Sequence, residues 1–131
     1  MDTLKIQTAQ RQQFVDITAE IARYISESGV STGICYLFCT HTTAGITFNE
    51  NWDPDVQHDM ALNLDTIAPQ RADFRHAEGN SPAHVKTSLM SSDHFVFVEN
   101  GKPVLGRWQG IYLAEFDGPR TRSIFIKFVA I

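Results

Sequence analysis

The order of elements along this chain predicts an α+β fold built on antiparallel sheet. Three observations carry that expectation. β-prone runs cluster at both ends, helical patterns lie between them, and Asn100-Gly101 and Asp117-Gly118 mark turns in the last third. A doubly wound fold would alternate strand and helix throughout. The 131 residues read as a single domain, 1–131. That length supports a sizeable core, since a domain of roughly 150 residues buries about 68–70% of its unfolded surface.

Residues 3–8 read as a first strand. Phe14-Val-Asp16 leads into a helix, with Asp16 as N-cap. Ile17, Ile21, Tyr24 and Ile25 recur at helical spacing, and Gly29 stops the helix. Residues 33–40 are apolar and β-prone, which predicts a buried strand, and 45–49 continue it or return as another. Asp53-Pro54 starts a second helix: the aspartate satisfies free N–H groups and the proline suits the first turn. Val56, Met60, Leu64 and Ile67 form its apolar stripe, and Pro69 closes it. Residues 70–79 are a polar loop. Ser81-Pro82 opens a short helix to about Leu89. Residues 95–99 run into Asn100-Gly101, a type I′ hairpin pair. Residues 108–115 form a strand that turns at Asp117-Gly118 and returns over 122–130.

Composition narrows the function classes. Hydrophobic content of 43% and charged content of 20% are those of an ordinary globular chain. The net charge of -4 leaves no basic footprint for nucleic acid. No apolar run spans a bilayer. Met1-Asp-Thr-Leu-Lys-Ile lacks the pattern of a signal peptide, so a cytoplasmic location is expected. Cys35 and Cys39 sit too far apart on one strand for an unstrained disulfide and read as reduced core residues. A catalytic thiol is the other reading.

The polar groups concentrate in three stretches. His41 to Asp55 holds His41, Asn49, Glu50, Asp53 and Asp55. A core strand would not need so many polar groups; a site would. His76 to Lys86 holds His76, Glu78, Asn80, His84 and Lys86. Imidazole binds zinc and similar ions readily, so His76 and His84 are candidate ligands, with His41, Glu50 or Glu78 to complete the set. Satisfied structural histidines are the alternative. The third stretch holds Trp108-Gln109, Glu115, Asp117, Arg120 and Arg122. Lys86, Arg120 and Arg122 suit an anion. An arginine paired with Asp117 or Glu115 at a hairpin end is the competing reading. Gln109 and Glu115 share a strand face with Ile111 and Leu113, forming either a pocket wall or a strand whose ends reach solvent. His58 and His94 read as surface or strand-edge residues.

Taken in order, several motifs resemble the YjbQ-type family. They are His-Thr-Thr-Ala-Gly-Ile-Thr-Phe-Asn-Glu-Asn over 41–51, Asp-Pro-Asp over 53–55, His-Ala-Glu-Gly-Asn over 76–80, and Ala-His-Val-Lys over 83–86. Leu-Gly-Arg-Trp-Gln-Gly over 105–110 and Glu-Phe-Asp-Gly-Pro-Arg over 115–120 complete the series. The resemblance runs over essentially the whole chain. Arg107, where threonine is expected, and Met90, where glycine is expected, depart from the pattern.

The resemblance implies a sandwich-like arrangement of antiparallel sheets with helices packed on one side, assembling as a homotrimer. It implies Glu50, Glu78, Lys86 and Glu115 as catalytic residues. Asn49, Asn80, Lys86, Gln109, Asp117, Arg120 and Arg122 would hold a small phosphorylated metabolite. His41, His76 and His84 would hold a divalent ion, zinc or magnesium. The activity attached to it is a secondary thiamine-phosphate synthase, a transferase joining hydroxymethylpyrimidine diphosphate to thiazole phosphate. Two other readings stand beside it: a metal-dependent hydrolase or other phosphate-metabolite enzyme, and a non-catalytic trimeric module holding a small anion.

Overall fold

The computed structural model describes residues 1–131. In chain order the elements are β1 (Asp2–Gln7), β2 (Gln13–Asp16), α1 (Thr18–Ser28), β3 (Gly33–Cys39), β4 (Ala44–Glu50) and α2 (Pro54–Ile67). They continue with α3 (Ser81–Met90), β5 (Asp93–Glu99), β6 (Lys102–Pro103), β7 (Gln109–Glu115) and β8 (Thr121–Ala130). The fold is α+β. A five-stranded sheet ordered β1-β8-β3-β5-β6 faces a three-stranded sheet ordered β2-β7-β4. Every strand pair is antiparallel.

Side-chain alternation builds the sandwich. On β3, Cys35, Leu37 and Cys39 point inward and are buried, while Tyr36 and Phe38 point outward. Ile124 and Ile126 of β8, Val96 and Val98 of β5, and Leu4 and Ile6 of β1 join the same core. The small sheet adds Ala44, Ile46, Ile111 and Leu113. Ile17, Ile21 and Ile25 pack against this core from α1, which ends as expected at Gly29 with φ 75°. Burying each such aliphatic side chain contributes roughly 1.5–3 kcal/mol. Both cysteines are free and buried, as their spacing predicts.

The other face of the small sheet is also apolar and lies beneath helices. Ala114 and Phe116 pack with Leu64 of α2 and Ala83 of α3, and Phe14 joins them. Gly45 lets the end of α3 approach, because a Cβ there would stand 2.9 Å from the Ser91 carbonyl and 3.0 Å from Met90 Cβ. The outward face of the large sheet has no such cover. Tyr36, Phe38, Phe95, Phe97 and Val129 are about half exposed there, with Tyr36 and Phe95 ring centroids 6.3 Å apart.

Asp53 caps α2 as predicted, accepting from the Asp55 N–H at 2.9 Å with Pro54 behind it. Asn100 and Gly101 both take positive φ, 53° and 70°, as a type I′ hairpin requires. Several expectations need correction. Phe14–Asp16 belong to β2, which pairs with β7, rather than leading into a helix. Val15 faces the main core and Phe14 the helix layer, a two-sided pattern too short to distinguish from a helical start. Asp16 still accepts from the Thr18 N–H at 2.9 Å, one position before the N-cap. Asn80, not Ser81, is the N-cap of α3. Ile67 is exposed, and Ala68 is buried instead.

The largest difference concerns β7 and β8. They do not form a hairpin; the Asp117-Gly118 segment carries the chain from one sheet to the other. The physical reason is burial. Ile111, Tyr112, Leu113 and Ala114 are all buried, so β7 must lie between two layers, in the middle of the small sheet.

Candidate functional site

Strand β4 divides the first polar stretch. Its seven residues rise about 3.3 Å each, so Ala44 and Glu50 stand roughly 20 Å apart. His41 lies at one end of the sandwich and Asn49 and Glu50 at the other. Register with β7 repeats the division: Ala44 opposes Glu115, and Glu50 opposes Gln109. The expectation that His41 and Glu50 face one pocket is therefore corrected. Glu50 accepts from the Asp53 N–H at 3.3 Å, and Asn49 accepts from the Glu50 N–H at 2.8 Å. Gln109 accepts from the Gly106 N–H at 2.8 Å. These three serve local turns.

At the His41 end, Glu115 and Arg122 close the core. Both point inward from their strands and are 0% and 1% exposed. Arg122 Nε donates to the Glu115 carboxylate at 2.9 and 3.1 Å, and its Nη2 bonds the same group. That Nη2 also donates to Thr43 Oγ1 at 2.8 Å. Thr8 Oγ1 and the Asp117 N–H donate to the carboxylate at 2.8 and 3.1 Å. Burial pushes the Glu115 carboxyl upward, but the bonds from Arg122, the Asp117 N–H and Thr8 outweigh it and hold it below the ordinary value. A network so fully committed and sealed touches no ligand. It holds the end of the sandwich, rather than acting as catalyst and anion holder.

His41 rests on this network. Its Nε2 accepts from the Ser123 N–H at 2.9 Å, which places the ring proton on Nδ1. Burial, then the charge of Arg122, lowers its pKa, so it stays neutral at neutral pH. His41 lines a cavity of about 450 Å³ with Thr42, His84, Thr87, Ser88, Ser91 and Ser92. No apolar side chain lines it. Thr87 is 7% exposed, and its hydroxyl has no hydrogen-bond partner. His76 stands edge-on to His84, with ring centroids 5.4 Å apart. Glu78 is exposed on the loop between them.

The other face of α3 looks onto a second cavity of about 380 Å³, with Asn80, Lys86 and Asp117 among its lining residues. Lys86 is 2% exposed and donates to Gln12 Oε1 and Asp65 Oδ1, each at 2.6 Å. That bond from Lys86 holds the Asp65 carboxyl below its ordinary value. Asp117 accepts from Asn80 Nδ2 at 2.8 Å and from Arg120 Nη2 at 3.1 Å. Arg120 thus takes the paired reading.

The structure brings together His41, His84 and His76, and separately Asn80, Lys86 and Asp117. No group of three or more His, Cys, Asp or Glu side chains gathers in metal-holding geometry within the chain. Sequence reasoning missed the hydroxyl lining. A signal was present, because His84, Thr87, Ser88 and Ser91 repeat at i, i+3, i+4 and i+7, one face of a helix. His94 is more than a surface residue: its Nε2 lies 2.8 Å from the Ile46 carbonyl, and its ring stacks on Phe48.

A small antiparallel sandwich with histidines clustered at one end defines the structural class. The chain belongs to the UPF0047 protein YjbQ-like family, whose model matches residues 2–131. It is 48% identical to the UPF0047 protein YugU of Bacillus subtilis over 130 residues, covering 98% of each chain. It is 49% identical to a UPF0047 protein of Methanocaldococcus jannaschii, covering 95% of this chain and 91% of that one. Among solved structures, an uncharacterized conserved protein of the family from Clostridium acetobutylicum superposes with a TM-score of 0.95. It is 51% identical, with 98% of this chain and 100% of that chain covered. A protein of unknown function from Sulfolobus solfataricus gives 0.93 at 30% identity, covering 99% and 96%.

These comparisons correct the functional expectation. Relatives sharing about half their residues are described only as UPF0047 proteins, and the solved structures as uncharacterized or of unknown function. None carries a thiamine-phosphate synthase activity, and that assignment is withdrawn.

Proposed function

We propose that the chain is an enzyme performing acid–base chemistry on a small phosphorylated metabolite, in the cavity between the β3–β4 connection and α3. One observation carries this reading: the lining is wholly polar and joins two imidazoles to five hydroxyl side chains. Histidine is the side chain best matched to proton transfer near neutral pH. Neutral His41 offers its Nδ1 proton as a donor of fixed tautomer. His84, with exposed His76 beside it, has a route for exchanging its proton with solvent. Thr42, Thr87 and Ser92 add hydroxyl donors suited to phosphate oxygens. No lysine or arginine lines this cavity, so a monoester fits it better than a diphosphate. A divalent ion would need donors beyond the His76–His84 pair, from a ligand or a second copy, so no step here runs through one.

The bare aromatic face of the large sheet supports self-association as part of the same proposal. The family resemblance points to three copies. Two free, buried thiols fit a reducing compartment such as the cytoplasm.

The test is a thermal-shift screen of phosphorylated metabolites, followed by mass spectrometry of any compound that binds. We expect a monoester that raises Tm and is converted, with both effects lost in a folded His84→Ala variant. A screen in which no phosphorylated compound stabilises the protein would sink the reading. Sedimentation equilibrium checks the assembly: three chains for the protein, one for Phe97→Glu.

A further inference from the structure

The second face of α3 carries an inference independent of the histidine cavity. Its cavity is lined by Arg11, Asp65, Asn80, Lys86 and Asp117, with Phe116 behind them. The resemblance assigns Asn80, Lys86 and Asp117 to phosphate, but the charges here are already met. Lys86 is committed to Asp65 and Gln12, and Asp117 to Asn80 and Arg120.

What is not met is an acceptor. Asn80 Nδ2 donates to the Asp117 carboxylate at 2.8 Å. That contact fixes the amide, since the flipped form would set oxygen against carboxylate. Asn80 Oδ1 is therefore enclosed with no donor facing it. The helix does not use it either. Asn80 is the N-cap of α3 but makes no side-chain cap bond. Pro82 has no N–H, and the Ala83 N–H goes to the Asn80 backbone carbonyl at 3.0 Å. Asp65 is 48% exposed at its side chain, with Lys86 bonded to one of its two oxygens. On the cationic side, the Arg11 guanidinium makes no hydrogen bond or ion pair and contributes to lowering the Asp65 pKa. The lining thus offers an unmet amide acceptor beside carboxylates, one uncommitted cation and an aromatic wall.

We propose that this cavity binds a free amino acid. Its ammonium group is the donor for Asn80 Oδ1, with Asp65 and Asp117 supplying negative potential. Its carboxylate pairs with Arg11, and its side chain lies towards Phe116. A volume of about 380 Å³ holds a molecule of that size.

The test is calorimetric titration of the full chain with a panel of free amino acids, their N-acetylated forms, the matching amines and inorganic phosphate. At least one free amino acid should bind, and its acetylated form and matching amine should each bind at least about tenfold more weakly. Asn80→Ala and Arg11→Gln should each weaken binding by about tenfold. Arg11 is exposed, so its variant keeps the test decisive should Asn80→Ala fold poorly. His84→Ala should leave this binding unchanged, which separates it from the histidine cavity. The proposal is overturned if no free amino acid binds, if Arg11→Gln binds as tightly as the parent, or if inorganic phosphate is the ligand that binds.

Discussion

Two polar regions at the same end of the sandwich invite comparison. Glu115 and Arg122 are sealed, and every charged atom between them is matched. His41, His84 and Thr87 border an open cavity, and the Thr87 hydroxyl has no partner. From residue type alone both would pass for chemistry. The difference is one of satisfaction: a committed group stabilises, and an uncommitted group beside space can still bind something.

Paired substitutions sharpen that contrast. Arg122→Met should be the most damaging, costing about 3–5 kcal/mol because it strands the Glu115 charge in the core. Replacing both partners, as Glu115→Leu with Arg122→Met, should recover much of that loss in urea denaturation. A double variant no better than the single one would mean the pair does more than seal the end. Next, Thr43→Val removes an acceptor from Arg122 and should cost about 1.5–3 kcal/mol. The same change at Thr87 should be neutral or stabilising, since its hydroxyl has no bond to lose. Equal destabilisation at both positions would erase the distinction. His84→Ala should have the smallest effect on stability, within about 0.5 kcal/mol, while abolishing ligand-induced stabilisation.

Acid should act on both regions with one sign. Burial lowers His41 below the ordinary 6.5, so its contribution is complete above that value and declines as pH falls below it. Glu115, ordinarily near 4.5, is held lower by Arg122, so its contribution is lost only as pH falls further, through its folded value. The urea midpoint should therefore fall in two stages on acidification. A midpoint that rose below pH 6.5 would contradict the geometry of His41.

Much of the fold could be read from residues whose chemistry is local. Asp53-Pro54, Gly29 and Asn100-Gly101 each act within a turn of chain, and each behaves as read. The pairing of β7 was not legible, because a strand buried on both faces looks the same whether its neighbour is β8 or β4. The site was half legible. His41 and His84 share a cavity, but an extended strand removed Glu50 from it although only nine residues separate Glu50 from His41. Proximity in sequence becomes distance in space along a strand, and only periodicity on a helix restores it.

The two thiols have a practical consequence. Cys35 and Cys39 lie within the central strand of the large sheet, and burial pushes the Cys35 thiol up to about 12. A thiolate-seeking reagent can reach neither until the two sheets separate. The chain therefore carries its own clock for opening. The rate of thiol labelling, followed with and without each candidate ligand, would time how often the sandwich parts and how firmly a bound molecule holds it closed.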